Sequence, residues 1–164
     1  MGAERQDLKD TLGRALKDLR VSVTDRCNFR CAYCMPLEKY EWIDRSEILT
    51  FEEITRLSKV FIALGVEEIR LTGGEPLLRH GLELLVAQLG RLEGLRDLSL
   101  TTNASLLSEK AEVLVRSGLK RINVSLDTVR ADRFLAMTRR DELGNVLRGL
   151  SDAKRLGLGP IKIN

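Results

Sequence analysis

Two hydrophobic rhythms alternate along the chain. Runs of period two fall at 19–25, 68–72, 97–103, 121–127 and 161–164, and each reads as a strand. Between them the apolar positions recur at three and four residues, the spacing of a helix with one buried stripe. Thr50 with Glu53 three residues later forms a capping-box signature, and Ile54, Leu57, Val60, Phe61 and Leu64 follow on one stripe as far as Gly65. Further helices are expected at about 81–92, 108–118, 131–137 and 142–156. Residues 1–18 read as a separate arm, mobile or partly helical, because Leu8, Leu12, Ala15 and Leu16 keep helical spacing. Residues 37–46 carry neither rhythm and read as irregular. Strands alternating with helices imply βαβ units with right-handed crossovers, so the expected fold class is α/β with a parallel sheet, in one domain over residues 19–164.

Parallel strands covered on both faces are usually apolar throughout. These are not. Arg20, Ser22 and Thr24 oppose Leu19, Val21 and Val23, and Arg70 and Thr72 oppose Ile69 and Leu71. Ser99, Thr101 and Asn103 form the polar side of the third run, Asn123, Ser125 and Asp127 of the fourth, and Lys162 and Asn164 of the fifth. Side chains alternate faces along a strand, so the sheet is expected to carry one polar wall. If the sheet curls as in a barrel, that wall lines a wet, ligand-holding interior; the alternative is a single layer with one face in solvent. Arg20, Arg70 and Lys162 are its cations and Asp127 its one evident anion, a set that suits a phosphorylated substrate.

All three cysteines, Cys27, Cys31 and Cys34, lie in one C-x3-C-x2-C stretch directly after the first strand. Three thiolates so placed can hold three irons of a cubic cluster and leave the fourth iron without a protein ligand. A structural zinc site would need a fourth ligand, and the one histidine, His80, is remote. Three unrelated packing thiols are the other alternative. Gly73-Gly74-Glu75-Pro76 follows the second strand. It reads either as a tight turn into a helix or as backbone that approaches a ligand closely, with a carboxylate able to accept from an ammonium group. Ligands of α/β sheets bind at the carboxyl ends of the strands, where both motifs fall.

Composition narrows the picture. A 164-residue chain with 43% hydrophobic and 31% charged residues has the make-up of one globular domain. A net charge of +3 gives no case for nucleic acid, and no apolar run reaches membrane-spanning length. The first 19 residues are charged, unlike a signal peptide, and Met1-Gly2 lacks Ser or Thr at position 6 for myristoylation. Clustered, odd-numbered cysteines do not form a disulfide framework, so a reducing cytoplasm is expected.

With Tyr33 placed before the last cysteine, the motif resembles the signature of the radical S-adenosylmethionine family. That resemblance implies a [4Fe-4S] cluster on Cys27, Cys31 and Cys34, with S-adenosylmethionine chelating the fourth iron and being cleaved to a 5'-deoxyadenosyl radical. The runs LRVSVTDR (19–26), IRLTGGEP (69–76), TTN (101–103), INVSLD (122–127) and IKIN (161–164) are similar to the GTP-cyclising branch of that family, which opens molybdenum-cofactor biosynthesis. The resemblance implies an incomplete TIM-type barrel of six strands, about five of them here, in what reads as the N-terminal part of such an enzyme. It implies that Tyr33, Gly73, Gly74, Glu75, Asn123 and Ser125 contact the cofactor and that Arg20, Arg70, Thr101 and Lys162 hold GTP. The radical would take the ribose 3' hydrogen, and the carbon radical would attack C8 of guanine. A reductant protein and a homodimer are the implied partners. The family's second three-cysteine cluster has no counterpart here, so the isolated segment is not expected to complete the cyclisation, and Ala104 stands where the family commonly has glycine. Two rivals are another radical S-adenosylmethionine enzyme, such as a peptide maturase, and a non-catalytic iron-sulfur or zinc module.

Overall fold

A computed structural model describes residues 8–35 and 40–164. Five strands, β1 (Asp18–Ser22), β2 (Glu68–Thr72), β3 (Asp97–Thr102), β4 (Arg121–Val124) and β5 (Ile161–Ile163), form one sheet in sequence order, every neighbouring pair parallel. The connections carry α1 (Phe51–Ala63), α2 (Leu82–Leu89), α3 (Leu107–Arg116), α4 (Ala131–Thr138) and α5 (Leu143–Arg155). Strands laid side by side in chain order with right-handed crossovers keep their helices on one face, the winding of a βα barrel.

The period-two pattern decides which face the helices cover. Ile69, Leu71, Leu98, Leu100, Ile122 and Val124 are buried in a single core with Ile54 and Ile62 of α1, Leu85 and Leu89 of α2, Leu114 of α3 and Val146 of α5. Helix α1 starts as its sequence requires: Thr50 accepts from the Glu53 amide, and the Glu53 carboxylate accepts from the Thr50 amide at 2.8 Å. Helices α3 and α5 pack so closely that Gly149 is needed, since a Cβ there would lie 2.7 Å from the Ala104 carbonyl oxygen and 2.9 Å from Leu107 Cβ. Ala104 itself is fully buried in the left-handed region (φ 62°), a conformation that glycine adopts at less cost.

Several expected boundaries move. Strands β1 and β4 are shorter than their alternation, ending at Ser22 and Val124, so Thr24, Ser125 and Asp127 lie on the loops beyond them. The arm is not helical where it is described: Lys9 and Ala15 form an antiparallel bridge around a turn at Gly13 (φ 78°), and the Leu8 amide donates to Leu64. Glycine at positive φ closes that turn more readily than a helix could pass through it. Residues 1–7 of the arm, and 36–39 of the irregular stretch, lie outside the described residues.

The packing of α5 yields a contrast of signs. Gly149→Val overpacks the α3–α5 contact and is expected to lower unfolding stability by about 1–3 kcal/mol. Gly144→Ala on the same helix meets nothing within 4 Å and is expected to raise it by up to about 1 kcal/mol. Denaturant unfolding of both variants checks this, and equal midpoints would contradict the packing described.

Candidate cofactor and substrate site

The cysteine stretch leaves β1 as an irregular loop and is fixed from three sides. Beneath it, Gly74 donates to the Thr24 carbonyl and Glu75 to the Arg26 carbonyl, both at 2.8 Å. The two glycines are needed there: a Cβ on Gly73 would lie 2.4 Å from the Thr24 oxygen and one on Gly74 2.4 Å from the Arg26 oxygen. The close approach that the glycines permit is therefore, first, to the chain's own backbone leading into Cys27. From β3, Asn103 donates to Asn28 at 2.9 Å, and Asn28 donates to Ser105 at 2.8 Å. From the carboxyl end of α4, the Met137 and Thr138 carbonyls accept from the Ala32 and Arg30 amides, and Arg140 donates to the Asn28 carbonyl.

Glu75 ties the motifs together. It is fully buried; Oε1 accepts from the Leu77 amide (3.0 Å) and the Thr102 hydroxyl (2.7 Å), and Oε2 from the Asn103 amide (2.7 Å). Burial pushes its carboxyl above the usual range, and those three donors pull the other way. The sequence pattern offered this residue as an ammonium acceptor; three donors of the fold already engage its two oxygens.

The thiols fit the implied cluster in kind. All three are free, Cys27 and Cys31 half-buried and Cys34 exposed. The Phe29 amide donates to Cys27 Sγ at 3.4 Å. Burial raises the Cys27 and Cys31 thiols, and a metal bound there would displace their protons. Among the described residues no three Cys, His, Asp or Glu side chains converge on a point that would suit a single ion. A cubic cluster asks for something else, because each thiolate binds a different iron and the three stand around a body rather than a point.

A small cavity of about 40 Å³ beside the loop brings together Cys31, Tyr33, Asn103, Ser125 and Asp127. Tyr33 is 65% exposed, yet its hydroxyl end is tucked in and donates to Asp127 at 2.9 Å; desolvation and that carboxylate hold its phenol above the usual range. Ser125 is exposed at the rim and Asn123 lies buried two residues below it on β4.

Below the loop, the register arranges the polar wall in rows. Asp18, Glu68 and Asp97 stand opposite one another at the amino ends of β1, β2 and β3. Two residues up, Arg20, Arg70, Ser99 and Arg121 form the next row, and Thr101, Asn123 and Lys162 form another beyond it. Sequence reading had Asp127 as the evident anion of the wall; the base row supplies three more. Arg121, also missed, is clamped by Asp97 at 2.7 Å and Glu68 at 3.3 Å, and Arg70 reaches Asp18 at 3.4 Å. Arg20 and Lys162 are exposed and form no ion pair among the described residues. The signal for Arg121 was present, since it shares the parity of Asn123.

This arrangement, a three-cysteine loop seated on a double-glycine turn at the carboxyl edge of a singly wound sheet, agrees with the match of residues 21–164 to the radical SAM superfamily, and the chain belongs to that superfamily. Within it, the chain is similar to proteins named GTP 3',8-cyclase. Identity is 53% over 164 residues with that of Acidothermus cellulolyticus (97% of this chain, 45% of the relative) and 49% over 158 residues with that of Geobacter sulfurreducens (96% and 48%). The chain thus spans about half the length of these curated relatives. Among solved structures, HydG, a maturase of the [FeFe]-hydrogenase, superposes with a TM-score of 0.73 at 16% identity (89% of this chain, 34% of that one). The structure of anSMEcpe with bound AdoMet superposes with a TM-score of 0.64 at 20% identity (90% and 42%). These two likenesses concern the fold.

Removing the buried carboxylate should loosen the whole assembly. Glu75→Ala leaves three inward donors without an acceptor, each costing about 1–3 kcal/mol, so a stability loss of several kcal/mol is expected in thermal unfolding. A variant within about 0.5 kcal/mol of the parent, the scatter of an ordinary surface change, would show that Glu75 is not the tie.

Proposed function

We propose that this chain is the part of a GTP 3',8-cyclase that holds the S-adenosylmethionine cluster and the phosphate end of GTP. The observation that carries the substrate reading is the pairing of Arg20 with Arg70. The two stand directly opposite on adjacent strands, with Arg70 Nε buried and without a partner. Like charges placed opposite each other are unfavourable, and an anion between them would reverse the sign. Similarity near 50% to GTP 3',8-cyclases supports the same choice of anion.

In this reading Cys27, Cys31 and Cys34 would hold a [4Fe-4S] cluster next to a site for S-adenosylmethionine, and the two groups would supply radical hydrogen-abstraction chemistry when bound. The chain's own residues bind and orient. The backbone of Gly73 and Gly74 runs beside the loop, where it offers polar groups to the methionine end of the cofactor. Tyr33, Asn123 and Ser125 flank its nucleoside end. Arg20, Arg70 and Lys162 neutralise phosphate, Arg20 and Arg70 by forked donation. Thr101 stands in the same row as Lys162 and supplies a hydroxyl. The base row of Asp18, Glu68 and Asp97 repels phosphate from the lower end, so the triphosphate is kept beside Arg20 and the ribose toward the cysteine loop. The reading places the protein in the cytoplasm, where thiols stay reduced; no helix among the described residues is long and apolar enough to cross a membrane.

Calorimetric titration with GTP and with guanosine tests this. Arg20→Ala should weaken GTP binding by about 1.5–3 kcal/mol, the usual worth of a hydrogen bond to a charged group, and leave guanosine unchanged. Equal losses for both ligands, or none for either, would overturn the phosphate assignment.

A further inference from the structure

Two guanidiniums grip three consecutive carbonyls inside the cysteine loop. Arg30 donates from Nη1 to the Cys27 and Phe29 carbonyl oxygens, each at 2.7 Å. Arg140, just past α4, donates from Nε to the Asn28 oxygen between them at 2.9 Å. Neither arginine forms an ion pair among the described residues. Arg30 is half-buried, and its guanidinium lies 5.7 Å from the centre of the Tyr40 ring and 5.5 Å from that of Trp42, the chain's one tryptophan. Carbonyls and aromatic faces orient a guanidinium and leave its net charge in place. The acids of the neighbouring loops are engaged elsewhere: Asp127 accepts from Tyr33, and Asp25 from the Ile43 amide.

The peptide unit between Asn28 and Phe29 connects this charge to a thiol. Its oxygen accepts from Arg140, and its N–H donates to Cys27 Sγ at 3.4 Å. A cation on the oxygen polarises the peptide and strengthens donation at its other end. Thr138 holds both arginines to the same helix end: its carbonyl accepts from the Arg30 amide at 3.0 Å, and its hydroxyl from the Arg140 amide at 3.2 Å. Phe29 meets Phe134 of α4 edge to face, with ring centres 5.8 Å apart.

We propose that Arg30 and Arg140 are positioning residues that make the cluster easier to reduce. The potential of an iron-sulfur cluster follows the charge around it and the hydrogen bonds to its sulfurs. Reduction adds one electron, and with it one negative charge, beside two fixed cations. An external one-electron donor is oxidised by one equivalent, and no atom or proton moves. Half-buried Arg30 is expected to act more strongly than exposed Arg140, whose charge is screened by water and salt. The inference rests on the cluster reading above.

The protein and its Arg30→Gln, Arg30→Lys, Arg140→Gln and Arg140→Lys variants are reconstituted anaerobically with iron and sulfide. Each is then titrated with dithionite without S-adenosylmethionine, and the reduced fraction is read by electron paramagnetic resonance. Arg30→Gln should lower the equilibrium constant for one-electron reduction by about tenfold, a fall of about 59 mV, and Arg140→Gln should lower it by less. The Lys variants keep the charge and should recover most of each difference. Gln variants that match the parent would overturn the proposal. So would Lys variants that fall as far as their Gln counterparts, because the side chains would then act by shape alone. A Gln variant that takes up no cluster where its Lys counterpart does supports the role of charge; a pair that both take up none overturns it. A parent that takes up no cluster would instead overturn the reading beneath, and this inference with it.

Discussion

A carboxylate shut away from water needs donors for both oxygens, and the whole upper rim of this sheet depends on how Glu75 finds them. Its side chain draws in the Leu77 amide of its own turn and the Thr102 hydroxyl and Asn103 amide at the end of β3. Its amide holds the Arg26 carbonyl at the foot of the cysteine loop. Asn103 then passes the connection to Asn28 inside that loop. One buried residue thereby fixes the relative height of three loops that belong to three different strands. A loop with two half-buried thiols and one exposed has no core of its own, so its shape must be imposed from below. The double glycine allows the imposing turn to press against the backbone of residues 24–26.

The same economy of position governs the sheet. With every pair parallel and in register, residues of one parity meet across five strands, and each step of two residues changes the chemistry of the row. Acids stand at the base, guanidiniums above them, and hydroxyl, amide and ammonium groups nearer the loops. The base row also distinguishes cations that look equivalent in sequence. Arg121 is neutralised twice; Arg70 is held once and loosely; Arg20 and Lys162 form no ion pair among the described residues.

Much of this was legible from alternation alone, because period-two runs separated by capped helical stripes admit few other architectures. The cysteine spacing and the double glycine located the rim. The missing parts were those that depend on depth and partner rather than on spacing. Nothing in the sequence says that the Glu75 carboxylate points inward, since an exposed acceptor and a buried clamp have the same letter. The parity that placed Arg20 and Arg70 on the wall also placed Asp18, Glu68, Asp97 and Arg121 there, yet strand ends read as boundaries rather than as members of a row. Likewise Leu8, Leu12 and Leu16 kept helical spacing in a segment that pairs with itself as an antiparallel bridge, because Gly13 turns the chain before a helix can form.

In the proposed function, three thiols on one loop leave an iron open for S-adenosylmethionine. Anaerobic reconstitution with iron and sulfide, followed by electron paramagnetic resonance of the reduced protein with and without S-adenosylmethionine, addresses it most directly. The expected result is a reduced cubic-cluster signal whose g-values shift when S-adenosylmethionine is added. A signal indifferent to S-adenosylmethionine, or a chain that binds only a single zinc ion, would contradict it.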